Sequence, residues 1–290
     1  MKFKDALRTK EFVLTSRVNL VDVADVAALH RQSEILWPVV DGVHLAEGKL
    51  AHMSGLAAAA LLLPQEIDPI VHVNCRDRNR IALQKDLIGA AALGVTTVLV
   101  SRGGKIPKSV ELGIRNVFDT TALEFMTYIQ GLNQADDAVP GAEIAVGANA
   151  EIFAPGDDWI PNNLIRKCDA GANFVQLQVC FDMHVVRSYM ARIVASKLTH
   201  RARFIMALTP LPSADMARWV QKNVKGALIP DGIIERLEQA SDPKREGIEI
   251  CAELLQELKT IPGVSGADLL NLGNIEAIPA AIDASCVRSP

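Results

Sequence analysis

The amino-acid sequence predicts a single (β/α)8 (TIM) barrel spanning residues 1–290. Three observations predict it. Eight short runs rich in β-branched residues alternate with helix-like runs, with short connections between them. The length of 290 residues is close to that of one such barrel. Hydrophobic residues make up 49% of the chain but aromatics only 4%, so the core must be Ala, Val, Leu and Ile, which suits helices packed closely on a parallel sheet. A doubly wound open sheet is the alternative, because periodicity does not reveal strand order.

The elements follow in order. Phe12–Val18 reads as the first strand, since its aromatic and β-branched residues favour extended backbone. Val21–Leu36 is helical, and Val39–His44 is the second strand. Ser54–Leu63 is an Ala/Leu helix that Pro64 stops. Pro69–Asn74 is the third strand, Arg78–Leu93 a helix closed by Gly94, and Thr97–Val100 the fourth strand. Thr120–Leu132 is helical, and Gln134–Gly141 reads as an exposed loop rather than a domain boundary. Ala142–Ala148 is the fifth strand, followed by a helix over Asn162–Ala170. Phe174–Val179 is the sixth strand, with a long helix after it to about Lys197, and Phe204–Leu208 is the seventh. Two or three helices fill Ala214–Leu258, the last strand lies within Gly263–Leu272, and Ile275–Ala284 forms a closing helix.

Bulk properties exclude several classes. The net charge of −4, with no basic stripe interleaved with aromatics, argues against a nucleic-acid partner. The longest apolar run, Leu56–Pro64, is too short to cross a membrane, and the charged start Met1–Arg8 does not resemble a secretory leader. Cys75, Cys168, Cys180, Cys251 and Cys286 form no CxxC pair, which fits reduced thiols in a cytoplasmic protein better than a disulfide framework or a zinc cluster.

In a barrel, functional groups collect at the C-terminal ends of the strands. Those ends carry Arg17, Asn19, His44, Glu47, His72, Asn74, Ser101 to Gly104, Ala148, Asn149, Gln178 and Thr209. The set mixes amides, cations and hydroxyls. It lacks the grouped carboxylates or histidine pair of a metal site, and neither GxGxxG nor a P-loop occurs. Plain structural readings stand beside the functional ones. Arg17 also reads as the ion-pair partner of an acid on a neighbouring strand, Glu47 as a solvated loop acid, and His72 as a satisfied core histidine. Arg166 and Lys167 read as a solvated helix face, and Arg76 to Arg80 as an internally paired helix start. Gln178 is more telling, because a buried amide on an apolar strand needs partners. Asp182 reads as the cap of the helix after strand six, and Cys75 and Cys180 as small core residues.

Several of these segments together resemble the methylenetetrahydrofolate reductase family. His72-Val-Asn-Cys75 is similar to its His-Leu-Thr-Cys strand end, and Arg76 to Gly94 to the helix that follows in its shorter bacterial members. Ser101-Arg-Gly-Gly104 sits where the family has Arg-Gly-Asp or Thr-Gly-Asp. Asn163 to Ala172 is similar to its Lys-x-Asp-Ala-Gly-Ala segment, and Phe174 to Asp182 to the Thr-Gln-x-x-x-Asp strand. The resemblance covers nearly the whole chain. It implies a barrel that binds FAD at its C-terminal face, takes hydride from NADH or NADPH, and passes it to 5,10-methylenetetrahydrofolate. Carried over by position, Gln178 would contact the folate, and His72, Arg102, Gly103, Asn163, Arg166 and Lys167 would lie on the flavin side. Cationic groups there suit a diphosphate.

The chain departs from the family at the reacting centre. The resemblance implies a glutamate at the end of strand one, which protonates N10 of the folate so that its ring opens to an iminium; Arg17 stands there instead. A guanidinium is a poor proton donor at neutral pH and repels an iminium. Gly104 stands in place of the flavin-contacting aspartate, Asn149 in place of an aromatic and Phe153 in place of a histidine. The first two changes would make the pocket about two charges more positive. Three readings follow. One is a reductase whose acid comes from elsewhere, with Glu47 the first candidate and His44 the second. Another is a folate- or flavin-binding enzyme of different one-carbon chemistry, its anionic substrate held by Arg17. The third is a non-catalytic subunit, so that the expected assembly is a homo-oligomer or a pairing with an active partner.

Overall fold

Eight parallel strands close on themselves in chain order: β1 (Val13–Val18), β2 (Gly42–Leu45), β3 (Pro69–Asn74), β4 (Thr97–Ser101), β5 (Ala145–Ala150), β6 (Phe174–Leu177), β7 (Arg203–Leu208) and β8 (Val264–Leu269). β8 pairs with β1, with Thr15 opposite Asp268, so the sheet has no edge. The computed structural model describes residues 1–20, 25–46, 48, 53–104, 106, 113, 115–134 and 143–288. The closed barrel bears out the expected fold and removes the open-sheet alternative.

Among the described residues, helices α1 (Phe3–Thr9), α2 (Val26–Leu36), α3 (Gly55–Leu62), α4 (Arg80–Leu93), α5 (Ala122–Gln134), α6 (Asn162–Asp169), α7 (Met183–Ala195), α8 (Ala214–Asn223), α9 (Asp231–Gln239), α10 (Pro243–Thr260) and α11 (Ala277–Ser285), with short 3-10 turns at Leu63–Gln65 and Leu198–His200, account for the rest of the regular structure. Caps set several of their starts. Asn79, Ser54, Ser213 and Asp242 each accept a backbone N–H of the first turn, and Asp182 accepts two, as its place before α7 predicted. Asn79 thereby starts α4 two residues later than the composition suggested. Gly94 ends α4 in the left-handed conformation.

Other boundaries shift for physical reasons. Val39 and Val40 donate to Leu36 O and so finish the turn after α2; β2 begins only at Gly42. β5 runs to Ala150, past the expected end at Ala148, because Ala150 still pairs with Leu177. The start expected for that strand, Ala142, lies outside the described residues, as do Val21 at the start of the first expected helix and most of the Gln134–Gly141 loop.

α1 was not anticipated. Its seven residues carry three charges, and only Phe3, Ala6 and Leu7 are buried. They close the barrel floor with Val13, Ile70, Leu99, Phe174 and Ile205. Phe3 meets Phe174 edge-on with centroids 5.5 Å apart, and the Phe3 backbone N–H donates to the buried Asp68 carboxyl at 2.6 Å. Gly147 makes room for this layer, since any Cβ there would run into the Phe174 ring. At the same end, Asp41 accepts from Lys10 (2.5 Å), the Leu14 N–H (2.8 Å) and both Arg288 Nη atoms (2.9 and 3.0 Å).

Because Phe3 is fully buried and fills the floor, Phe3→Ala is expected to cost about 3–5 kcal/mol. Urea unfolding checks this; an unchanged midpoint would show that the floor is not closed by α1.

Candidate functional site

Alternation along the strands turns every second side chain toward the axis. Above the apolar floor this produces a polar layer. Thr15 and Arg17 come from β1, His44 from β2, His72 from β3, Gln176 from β6 and Asp268 from β8. The pairing register sets Thr15 beside Asp268 and Arg17 beside His44. Asp268 is fully buried. It accepts from Thr15 Oγ1 at 3.0 Å, from Arg17 Nη2 at 3.2 Å and from the Gln176 amide. Arg17 therefore has the structural role that its position also allowed: it is the ion-pair partner of an acid on the neighbouring strand. The charge expected to make the pocket more positive is matched by Asp268, one strand away.

His44 and His72, 28 residues apart, are brought together. His44 Nδ1 lies 2.9 Å from His72 Nε2, and His44 Nε2 lies 3.2 Å from Thr15 Oγ1 and 3.6 Å from Asp268 Oδ1. Burial, with Arg17 adding to it, pushes the His44 imidazole well below its usual pKa. Burial does the same to His72, helped by His44 and Arg17 and opposed by Asp268. Both rings are therefore neutral near pH 7. Among the described residues, no group of three or more His, Cys, Asp or Glu side chains could hold a metal ion.

A second region opens beside the axis, at the C-terminal ends of β5 and β6. It is a cavity of about 720 Å3, a volume in the range of small-molecule and cofactor sites. Its lining includes Arg102, Asn149, Asn163, Lys167, Gln178 and Lys225 on the polar side and Phe153, Trp159, Ile160 and Tyr189 on the apolar side. The three rings pack on one another, with Trp159 and Tyr189 centroids 5.0 Å apart. Lys225 pairs with Glu151 at 2.5 Å, and Arg102 lies 4.8 Å over the Phe118 ring. Lys167 donates to the Asn149 carbonyl, and burial lowers its ammonium pKa.

The expected site residues thus divide into groups. Gln178, Arg102, Asn163 and Lys167 converge on the cavity; Gln178 donates to the Lys225 carbonyl at 2.9 Å. Gly103 stands next to Arg102 with φ +80°, and a Cβ there would approach the Arg76 Cβ to 2.7 Å, so the turn requires glycine. Arg166 is the exception: it is exposed at the end of α6 and does not line the cavity. The helix advances about 100° per residue, which turns Arg166 away when Lys167 faces in. His72 belongs to the axial layer. Glu47 lies outside the described residues. Asp268 and Gln176 were missed. A lone acid in the apolar run Val264–Leu269 was the available signal, because buried carboxylates are rare unless paired.

Comparison with known proteins agrees with this architecture. Residues 21–285 match the family model described as methylenetetrahydrofolate reductase. A Caenorhabditis elegans protein described as a probable methylenetetrahydrofolate reductase (NADPH) is 25% identical over 209 residues, which is 71% of this chain and 30% of that protein. The chain therefore spans less than a third of that relative. A crystal structure of 2,3-dimethylmalate lyase, a member of the PEP mutase/isocitrate lyase superfamily, aligns with 99% of this chain and 85% of its own at 13% identity and a TM-score of 0.50. That likeness concerns the fold alone.

Two expectations follow from the axial layer. Unfolding frees two histidines to take up protons below their ordinary pKa of 6.5, whereas the folded rings resist protonation. Their contribution to stability is complete above that pH and is lost as pH falls below it. The urea midpoint should drop between pH 7.5 and pH 5, and drop less in the His44→Gln/His72→Gln double variant. Arg17→Glu should lose about 3 kcal/mol or more, since it sets two carboxylates side by side, and adding Asp268→Asn should restore part of the loss. Equal stability of Arg17→Glu and wild type would disprove the pairing.

Proposed function

Because the chain belongs to the methylenetetrahydrofolate reductase family, we propose that its barrel mouth carries out flavin-dependent, folate-linked one-carbon reduction. The observation that carries this reading is the cavity itself: an aromatic and aliphatic wall faces an amide–cation wall, at the strand ends where barrels place their chemistry.

The donor set suits a flavin dinucleotide. Trp159, Tyr189 and Phe153 offer flat apolar surface, and Arg102 and Lys167 offer positive charge for a diphosphate. Asn163, Gly103 and Arg102 would border the group, and Gln178 would hold the pterin by its amide. When bound, the flavin would supply hydride taken from NADH or NADPH. The chain's own work is then to bind and orient the folate, exclude water and deliver a proton to N10. Arg17 cannot deliver that proton, because its guanidinium stays charged and is committed to Asp268. Its pairing nevertheless leaves the axis close to neutral, so a developing iminium is not repelled as a lone arginine would repel it. Glu47 and the histidine pair are the two sources of a proton.

A partner-subunit reading draws on one feature. Ile81 and Ile88, two turns apart on α4, are both more than half exposed, and such exposed apolar side chains suit association.

The visible spectrum tests the main reading. Purified protein mixed with FAD is expected to show a bound-flavin spectrum that NADH bleaches without oxygen and methylenetetrahydrofolate restores. A protein that binds no FAD would defeat it. Lys167→Ala and Arg102→Ala should each weaken flavin binding about tenfold or more, the usual loss for one charged hydrogen bond. Gln178→Ala should raise KM for the folate with little change in flavin affinity.

A further inference from the structure

Four groups form a line from the barrel axis to its mouth. Asp268 Oδ1 lies 3.0 Å from Thr15 Oγ1, Thr15 Oγ1 lies 3.2 Å from His44 Nε2, and His44 Nδ1 lies 2.9 Å from His72 Nε2. Asp268, Thr15 and His44 are buried, whereas His72 keeps part of its surface open. His72 also borders a small pocket with Leu56 and Arg78, from the segments that follow β2 and β3, at the end of the barrel opposite the apolar floor.

An ionised carboxylate only accepts hydrogen bonds, and this sets the polarity of the whole line. Thr15 gives its one proton to Asp268, so its oxygen is left to accept from His44. The His44 proton must then sit on Nε2, which leaves Nδ1 bare to accept from His72. The His72 proton must also sit on Nε2, and its Nδ1 is left unprotonated. The reverse polarity would aim a nitrogen lone pair at a carboxylate oxygen 3.6 Å away. Among the described residues, the charged or titratable groups that face this line are Arg17 from β1, His44 from β2, His72 from β3 and Asp268 from β8; Arg78 and Asp86, an ion pair 3.0 Å apart, share a small pocket with His72, and β6 adds the neutral Gln176 amide.

We propose that this line is a proton store serving the ligand site, with Asp268 as the reservoir and His72 as the donor. In loading, a proton from solvent bonds to His72 Nδ1. The His72 Nε2 proton passes to His44 Nδ1, the His44 Nε2 proton passes to the Thr15 oxygen, and the Thr15 proton passes to Asp268. Both rings end neutral with the proton on Nδ1, and Asp268 ends as a neutral acid. Discharge reverses each move: the His72 Nδ1–H bond breaks, an N–H bond forms on the ligand, and Asp268 becomes a carboxylate facing the Arg17 guanidinium. Only protons move. Arg17 favours the discharged state and so drives the proton outward. The assignment rests on the folate reading above and places His72, rather than Glu47, at the substrate nitrogen. Asp268, Thr15 and His44 act through His72.

Nitrogen NMR of the full chain carrying 15N-labelled histidine tests the store without any turnover. At pH 7.5, His44 and His72 should both be neutral and protonated on Nε2. On acidification both should switch together to Nδ1–H and remain neutral. An imidazolium at either ring, or Nε2–H retained until the protein unfolds, would overturn the proposal. Asp268→Asn should abolish the joint switch. If that variant fails to fold, Thr15→Val is nearly isosteric, interrupts the line and should uncouple the two rings. In anaerobic turnover with FAD, NADH and methylenetetrahydrofolate, Thr15→Val and His72→Asn should lower kcat about 100-fold, with KM within about twofold. Unchanged kcat in Thr15→Val with turnover lost in Glu47→Gln would give the proton to Glu47 and overturn the donor role. A wild-type protein that reduces no methylenetetrahydrofolate removes the folate reading, while the histidine spectra still decide the store.

Discussion

The centre of this barrel depends on keeping one fully buried carboxylate satisfied. An isolated charge in that position would cost far more than the few kcal/mol by which proteins are stable. Asp268 is stabilised because donors from β1 and β6 converge on it, and β2 and β3 extend the same network through His44 and His72. The register of β8 is therefore not free to drift. A slip of one residue would turn Ala267 or Leu269 inward and leave Arg17 without its acid. Fold specificity and site chemistry thus come from the same contacts.

The mouth divides into two electrostatic territories. On the axis, Arg17 and Asp268 cancel at close range and the histidines are neutral. Beside it, Arg102 and Lys167 line the aromatic cavity. The side territory favours anionic groups, while the axis presents no net charge. The fold accommodates an arginine at the end of β1 because an acid lies beside it on the adjacent strand.

Much of the architecture was legible because parallel barrel strands are buried on both faces and read as apolar, β-branched runs. All eight were located. The errors have local causes: Val39 and Val40 look like strand but complete a helical turn, and the seven residues of α1 are too short and too charged to show a helical period. At the site, Gln178 stood out while Gln176, two residues earlier on the same inward face, did not. Alternation makes both inward, but only the three-dimensional register shows that one reaches the cavity and the other the buried acid. The pairing of His44 with His72 was hidden for the same reason, since contacts between strands leave no local pattern. Arg166 lies outside the cavity lining, and charge alone does not say which face of α6 a residue occupies.

The seam between β8 and β1 has a further consequence for how the molecule comes into being. Arg17 and Asp268 are separated by 251 residues, and the Asp41–Arg288 tie at the floor by 247. On the ribosome, Arg17 emerges 251 residues before its acid, and seven of the eight strands are made before that acid arrives. Until then the nascent barrel is an open sheet carrying an unmatched cation on its inner face, with two unpaired edges. Pairing of such distant residues is slow, so the polar layer on the barrel axis is completed only when this seam closes.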